Sequence, residues 1–181
     1  MIEAGDERSL VELACAGDAA AFESLVRRRM SAIYRLDLAI LGDEADAADA
    51  TQETFIAAWR KLADLRDPDR FEAWLQRVSV NACRMIGRAR GRRLVREMPM
   101  ARVADAASAV ASPAADDGET LRAALSRLSH DHRTVLALHH VDGRPVAEIA
   151  STLGIPEGTA KSRLFKARAA LGRALSEEAQ R

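Results

Sequence analysis

Between Gln76 and Arg96 stand seven arginines, Arg77, Arg84, Arg88, Arg90, Arg92, Arg93 and Arg96, with no acidic residue among them. A guanidinium contacts phosphate through two parallel hydrogen bonds and stacks on an exposed base, so this array suits DNA, including unwound DNA. Arg77, Arg84 and Arg88 are spaced at 7 and 4 residues, which puts them on one side of a helix beside Asn81. With Arg92 they form a first set of candidate DNA contacts. A second set lies in residues 157–175, which hold five basic side chains and one acid. There Thr159, Lys161, Ser162, Arg163, Phe165, Lys166 and Arg168 combine hydroxyls and cations, the groups that meet phosphate oxygens and base-edge acceptors in the major groove. A basic amphipathic helix that merely closes a bundle is the alternative for the second set; turn glycine, starting proline and charge, agreeing with one another, favour DNA binding.

A third group is acidic. The string DEADAADATQETFIAAW places Asp49, Gln52, Glu53 and Trp59 on one helix, the first three at i, i+3 and i+4 and so on a shared face. Taken alone, such a run is a solvated face. Paired-carboxylate catalysis is poorly supported, since no nucleophile, metal ligand or electrophile lies nearby. His130, His132, His139 and His140 cluster without the carboxylate or cysteine that would complete a metal-ligand set. The sequence therefore predicts no catalytic site, no metal and no cofactor.

These groups need elements to hold them. The 181 residues are 48% hydrophobic but only 4% aromatic, with alanine, leucine and arginine prominent, which favours helices over sheets. Apolar side chains repeat at helical spacing: Phe22, Leu25, Val26, Met30, Ile33 and Tyr34; then Ala48, Phe55, Trp59 and Leu62; then Phe71, Trp74, Leu75, Val78, Ala82, Met85 and Ile86. Asp69 and Glu72 have capping-box spacing at the start of the third stripe, after Pro68. No segment alternates with period two, so no sheet is expected. Residues 99–118 contain no leucine, isoleucine or aromatic residue but two prolines, and read as a tether. The expected fold is all-α: two small helical domains, residues 1–96 and 119–181, joined by a flexible linker at 97–118.

In the second domain, Leu121, Ala124, Leu125 and Leu128 resume the helical spacing, and Ser129 is placed as an N-cap before Val135, Leu136 and Leu138. Val146, Ile149, Ala150 and Leu153 then line a short helix, Gly154 stands where a left-handed residue ends it, and Pro156 stands where the next begins. Ala160, Leu164, Ala167 and Leu171 form the inner stripe of that next helix. Small Ala150 and Ala160 allow a close crossing, which makes the pair a helix-turn-helix.

The net charge of zero conceals a segregation that fits three surfaces. Residues 1–53 carry 5 Lys+Arg against 12 Asp+Glu, and residues 54–96 carry 11 against 4. Two basic zones and one acidic zone predict two anion-binding surfaces and one basic partner. The opening residues do not resemble a secretory signal, no run of about 18 apolar residues suggests a membrane span, and two cysteines without ligand or redox spacing suit a reducing compartment. A cytoplasmic location with no membrane insertion is expected.

DATQETFIAAW, WLQRVSVNACR and EIASTLGIPEGTAKSRLFKARAAL, in that order, resemble extracytoplasmic-function sigma factors of bacterial RNA polymerase. The resemblance spans about residues 18–95 for region 2 and 119–175 for region 4, with GTA standing for the commoner GTV. It implies that Asp49, Gln52, Glu53 and Trp59 bind a coiled coil of core RNA polymerase, which gives the acidic face a partner. It implies that the helix around Trp74 to Arg93, with the loop near Asp64 to Asp69, reads the minus-ten element of promoter DNA, Asn81 and Arg84 matching contact positions. The helix after Pro156 would read the minus-thirty-five element, and an anti-sigma factor is a further expected partner. Ser79, Cys83 and the pair Ile86-Gly87 depart from the pattern of the minus-ten helix. A stand-alone helix-turn-helix regulator is the rival reading, and it leaves the first domain's acidic and arginine helices unexplained.

Overall fold

The computed structural model of the chain describes residues 7–97 and 117–180; the side chains of 92–97 and 117, and the predicted tether from 98 to 116, lie outside the described residues. Among the described residues there are eight α-helices and no strand. Helix α1 (Glu7–Cys15) buries Leu10, Val11 and Ala14, a face the sequence stripes do not single out. Helix α2 (Ala19–Leu41) begins where the Asp18 carboxylate accepts hydrogen bonds from the Ala20 and Ala21 amides at 2.8 and 3.0 Å. It ends at Gly42, whose φ of 74° is the left-handed closing conformation. Helix α3 (Glu44–Lys61) is capped by Asp43, opens with Glu44 and Asp46 and closes with Arg60 and Lys61, charges that complement its dipole.

The long arginine helix α4 (Phe71–Glu97) starts differently from the sequence expectation. Asp67, not Asp69, supplies the cap: its carboxylate accepts from the Asp69 amide at 3.1 Å and nucleates a 3₁₀ turn, Pro68–Arg70, that leads into the helix. Proline favours such a first turn because its missing N–H has no partner there in any case. Asp69 and Glu72 are thereby left for ion pairs, Asp69 with Arg8 and Glu72 with Arg29 and Arg144.

The C-terminal half comprises α5 (Asp117–Ser126), α6 (His130–His140), α7 (Val146–Leu153) and α8 (Glu157–Glu178). Ser129 caps α6 as expected, accepting from the His132 amide. Helices α5, α6 and α7 all pack on α8, so α8 is the axis of this half.

Two apolar clusters hold the molecule, and they do not coincide with the two expected domains. The first joins Leu10, Val11, Leu25, Ile33, Phe55, Leu62, Phe71 and Leu75. The second runs without a break from Leu36, Ile40, Leu41, Val80 and Cys83 to Leu128, Val135, Leu138, Ile149 and Leu164. Helix α6 lies on α2, and α7 lies on α4. A tether without leucine, isoleucine or aromatic residues predicts separate cores; the helices on either side of it supply the shared one. Burying a leucine or isoleucine is worth about 1.5–3 kcal/mol, and an exposed ion pair about 0–1 kcal/mol. The shared apolar cluster, rather than the charges around it, therefore dominates the contact between halves.

Candidate nucleic-acid interface

Helix α4 divides its residues between an inner and an outer side. Ser79, Val80, Ala82 and Cys83 are buried, whereas Arg77, Asn81 and Arg88 are exposed and Arg84 is half-buried. Arg92 lies among the side chains outside the described residues. Met85, placed on the inner stripe by its spacing, is 59% exposed: four residues after Asn81 and three before Arg88, it shares their outward side.

The inward face holds a buried polar site that the sequence stripes pass over. Asp37 of α2 is 0% exposed. Its Oδ1 accepts from Ser79 Oγ at 2.5 Å and from Cys83 Sγ at 3.1 Å, and its Oδ2 accepts from Thr51 Oγ1 at 2.9 Å. Burial pushes the Asp37 carboxyl above its ordinary range, and the three hydrogen bonds oppose that shift. Burial and the neighbouring Asp37 push the Cys83 thiol far up, so it stays protonated as a donor. Two of the departures in this helix, Ser79 and Cys83, thus face a carboxylate inside the protein rather than DNA. A lone acid in the apolar run YRLDLAILG is the sequence signal that marks the site.

On α3, Asp49 and Gln52 are exposed and Glu53 is half-buried. These three line one groove with Ile56 of the same helix and Met85, Ile86, Arg88 and Ala89 of α4. The acidic face and the arginine helix therefore adjoin. Trp59 is 42% exposed and sits to one side, its ring 4.9 Å from that of Phe22, in a neighbouring apolar groove with Val26, Met30, Tyr34 and Phe55. Gln52 and Ile56 line both grooves. Arg90 is turned away from either, ion-paired with Asp46 at 2.8 Å and Asp43 at 3.7 Å.

The helix-turn-helix forms as its spacing requires. Gly154 closes α7 with φ 65°, its amide and that of Ile155 donating back to the last turn. Pro156 stands just before the first residue of α8. Ala150 and Ala160 are buried between the two helices, with Leu164 and Ala167 further along the inner stripe. Thr159, Lys161, Ser162, Phe165, Lys166 and Arg168 are exposed together. Lys161 pairs with Glu157 at 2.7 Å, and Arg168 Nε lies 3.4 Å from the His140 imidazole. Phe165 is 75% exposed, a large apolar ring standing on an otherwise polar surface. Arg163 separates from this set: it is half-buried and pairs with Asp131 of α6 at 3.1 Å.

Residues 21–93 match the description of sigma-70 region 2, and residues 118–171 match sigma-70 region 4. The chain belongs to the sigma-70 family. It is 33% identical to the RNA polymerase sigma-H factor of Pseudomonas aeruginosa over 97% of this chain and 96% of that protein. It is 34% identical to the ECF RNA polymerase sigma factor SigM of Mycobacterium tuberculosis, over 93% of this chain and 86% of that one. Its fold is similar to the sigma factor RpoE of Bartonella quintana, solved in complex with the anti-sigma factor NepR, with a TM-score of 0.68 and 25% identity over 86% of this chain and 96% of that chain. The protein is thus an extracytoplasmic-function sigma factor, an initiation factor rather than an enzyme. A stand-alone regulator is not favoured, since region 2 accounts for the acidic and arginine helices of this sigma factor. No helix among its described residues is long and apolar enough to cross a membrane.

Proposed function

We propose that this sigma factor binds core RNA polymerase through Asp49, Gln52 and Glu53 of α3, with Trp59 flanking them, and directs it to promoters through two DNA surfaces. The groove shared by α3 and α4 carries the reading. Its acidic wall suits a basic partner helix, its Met85 and Ile86 offer apolar contact, and Arg88 at its edge begins the candidate minus-ten surface. A polymerase seated there would lie beside the DNA that α4 holds. Arg77, Asn81, Arg84 and Arg88 form that surface, Arg92 is assigned to it by sequence alone, and Arg84 and Arg88 would contact the opened strand. Thr159, Lys161, Ser162, Phe165, Lys166 and Arg168 of α8 read the minus-thirty-five duplex, and Arg163 contributes only after leaving Asp131. An anti-sigma factor, as bound by the similar RpoE, is the expected regulator, and the cytoplasm the expected location.

Reversing Asp49 and Glu53 to lysine tests the reading. The double variant should keep its helicity and lose capture of core polymerase. Undiminished capture would move the interface elsewhere.

A further inference from the structure

Helix α4 is gripped from within at two points on one side. Ser79 and Cys83, four residues apart, both donate to Oδ1 of Asp37 on α2, at 2.5 and 3.1 Å. At about 100° per residue, Arg77, Asn81, Arg84 and Arg88 lie roughly 140–200° around the helix from Ser79. The side that Asp37 holds is thus the back of the side assigned to the minus-ten element.

The other carboxylate oxygen reaches α3. Asp37 Oδ2 is 2.9 Å from Thr51 Oγ1, and Thr51 immediately precedes Gln52 on the helix assigned to core polymerase. Thr51 Oγ1 is also 2.9 Å from the Ala47 carbonyl, so its single proton serves two acceptors. All four residues are buried, so a bond lost here is not replaced by solvent.

Apolar packing alone would join these helices without fixing one alignment, since aliphatic cores lose uniqueness before they lose stability. Directional bonds to a single buried carboxylate fail together when a helix turns about its axis. Ser79 and Cys83 are also positions where α4 departs from the pattern it otherwise resembles, so the grip uses what is particular to this chain.

We propose that Asp37 is a positioning residue for promoter recognition: through Ser79, Cys83 and Thr51 it fixes the rotation of α4 against α3. Asn81 and Arg84 then meet the minus-ten element at a set place relative to the polymerase on α3. Asp37 itself touches neither. The inference rests on the reading of α3 as the polymerase helix and of α4 as the minus-ten helix.

The test compares Asp37→Leu with Asp37→Asn in the full chain. Leucine matches the branching of aspartate without its acceptors, and apolar replacement of a buried ionisable site often preserves stability. Asparagine keeps one oxygen for Ser79 and Cys83, and its amide donates to Thr51 once that hydroxyl gives its proton to Ala47. Both variants should still capture core polymerase. On a duplex promoter, well below the melting point of either, Asp37→Leu should open complexes several-fold more slowly. It should also discriminate less between a minus-ten element and its single-base variants, while Asp37→Asn stays near wild type in both. Should Asp37→Leu melt below the assay temperature, Thr51→Val cuts only the α3 arm and should slow opening in the same direction.

A folded Asp37→Leu (or, in its place, Thr51→Val) that opens and discriminates like wild type would overturn the positioning role. So would an Asp37→Asn as impaired as Asp37→Leu, since restored hydrogen bonds would then restore nothing. If wild type itself opens no promoter, the promoter reading fails instead. Amide exchange in α4 still decides whether Asp37 fixes the helix: faster in Asp37→Leu than in wild type and Asp37→Asn if it does, alike in all three if it does not.

Discussion

The two basic helices differ in what covers them. Helix α8 presents its polar side to solvent, with Thr159, Lys161, Ser162, Phe165 and Lys166 exposed over a stripe of Ala160, Leu164 and Ala167. Helix α4 is held on two sides, by the Asp37 carboxylate within and by α7 and the α6–α7 turn without. The exposed polar side of a helix whose inner stripe is Ala160, Leu164 and Ala167 is readable locally, since spacing alone separates the two sides. A long helix shared between two packing partners is readable only with both partners present. Arginine count alone is a poor guide in such a case: Arg90 and Arg163 sit within basic runs yet bond to acids of their own chain.

The comparison is broken most severely through the shared core. Leu138→Ala should lower stability by about 2–5 kcal/mol, and it should do so for both halves at once. Calorimetry checks this. One cooperative transition moving as a unit supports the continuous cluster, whereas a shifted C-terminal transition beside an unmoved one would return the halves to separate cores.

Lys161→Ala against the pair Arg84→Ala/Arg88→Ala sharpens the division of labour. The first should weaken upstream duplex recognition by about 1–3 kcal/mol if the lysine reads a base, and less if it meets only phosphate. The second should impair strand opening and be rescued by a pre-opened bubble template, with activity falling steeply as salt rises. Equal rescue of both variants would remove opening from α4.

Ser79→Ala tests the inner restraint on α4. It leaves a buried carboxylate one donor short and should cost about 1–3 kcal/mol in denaturant melts. The pH dependence has a definite sign. Since burial raises the Asp37 carboxyl, the folded chain holds that proton more tightly than the unfolded one. The stability it contributes below the ordinary value of about 3.9 is lost as pH rises through the raised value. Asp37→Asn should flatten that loss.

The smallest effect concerns His130 at the contact between halves. Burial and Arg133 push its imidazole below the ordinary range, Asp131 opposes them, and Arg84 and Arg88 of α4 add to the lowering. A lowered value means that the stability His130 gives the contact between halves is present above about pH 6.5 and lost as pH falls below it. Scattering profiles should expand modestly on acidification, and His130→Leu should expand less than wild type.

The all-helical class and the helix-turn-helix followed from the sequence because their causes are local: apolar spacing, Gly154 in the left-handed conformation, Pro156 before a helix, Ser129 as a cap. The shared face of Asp49, Gln52 and Glu53 followed for the same reason, as adjacent turns of one helix need no partner to align. Tertiary structure alone decided the rest. That Asp37 meets Ser79, Cys83 and Thr51 depends on three helices converging, across separations of 14 to 46 residues. That Arg77 meets Ser151 spans 74 residues, a pairing no spacing rule encodes. The outward turn of Met85 was decided there too, because the partners of α4 take the side of Leu75, Val80 and Cys83 and leave Met85 beside Asn81 and Arg88.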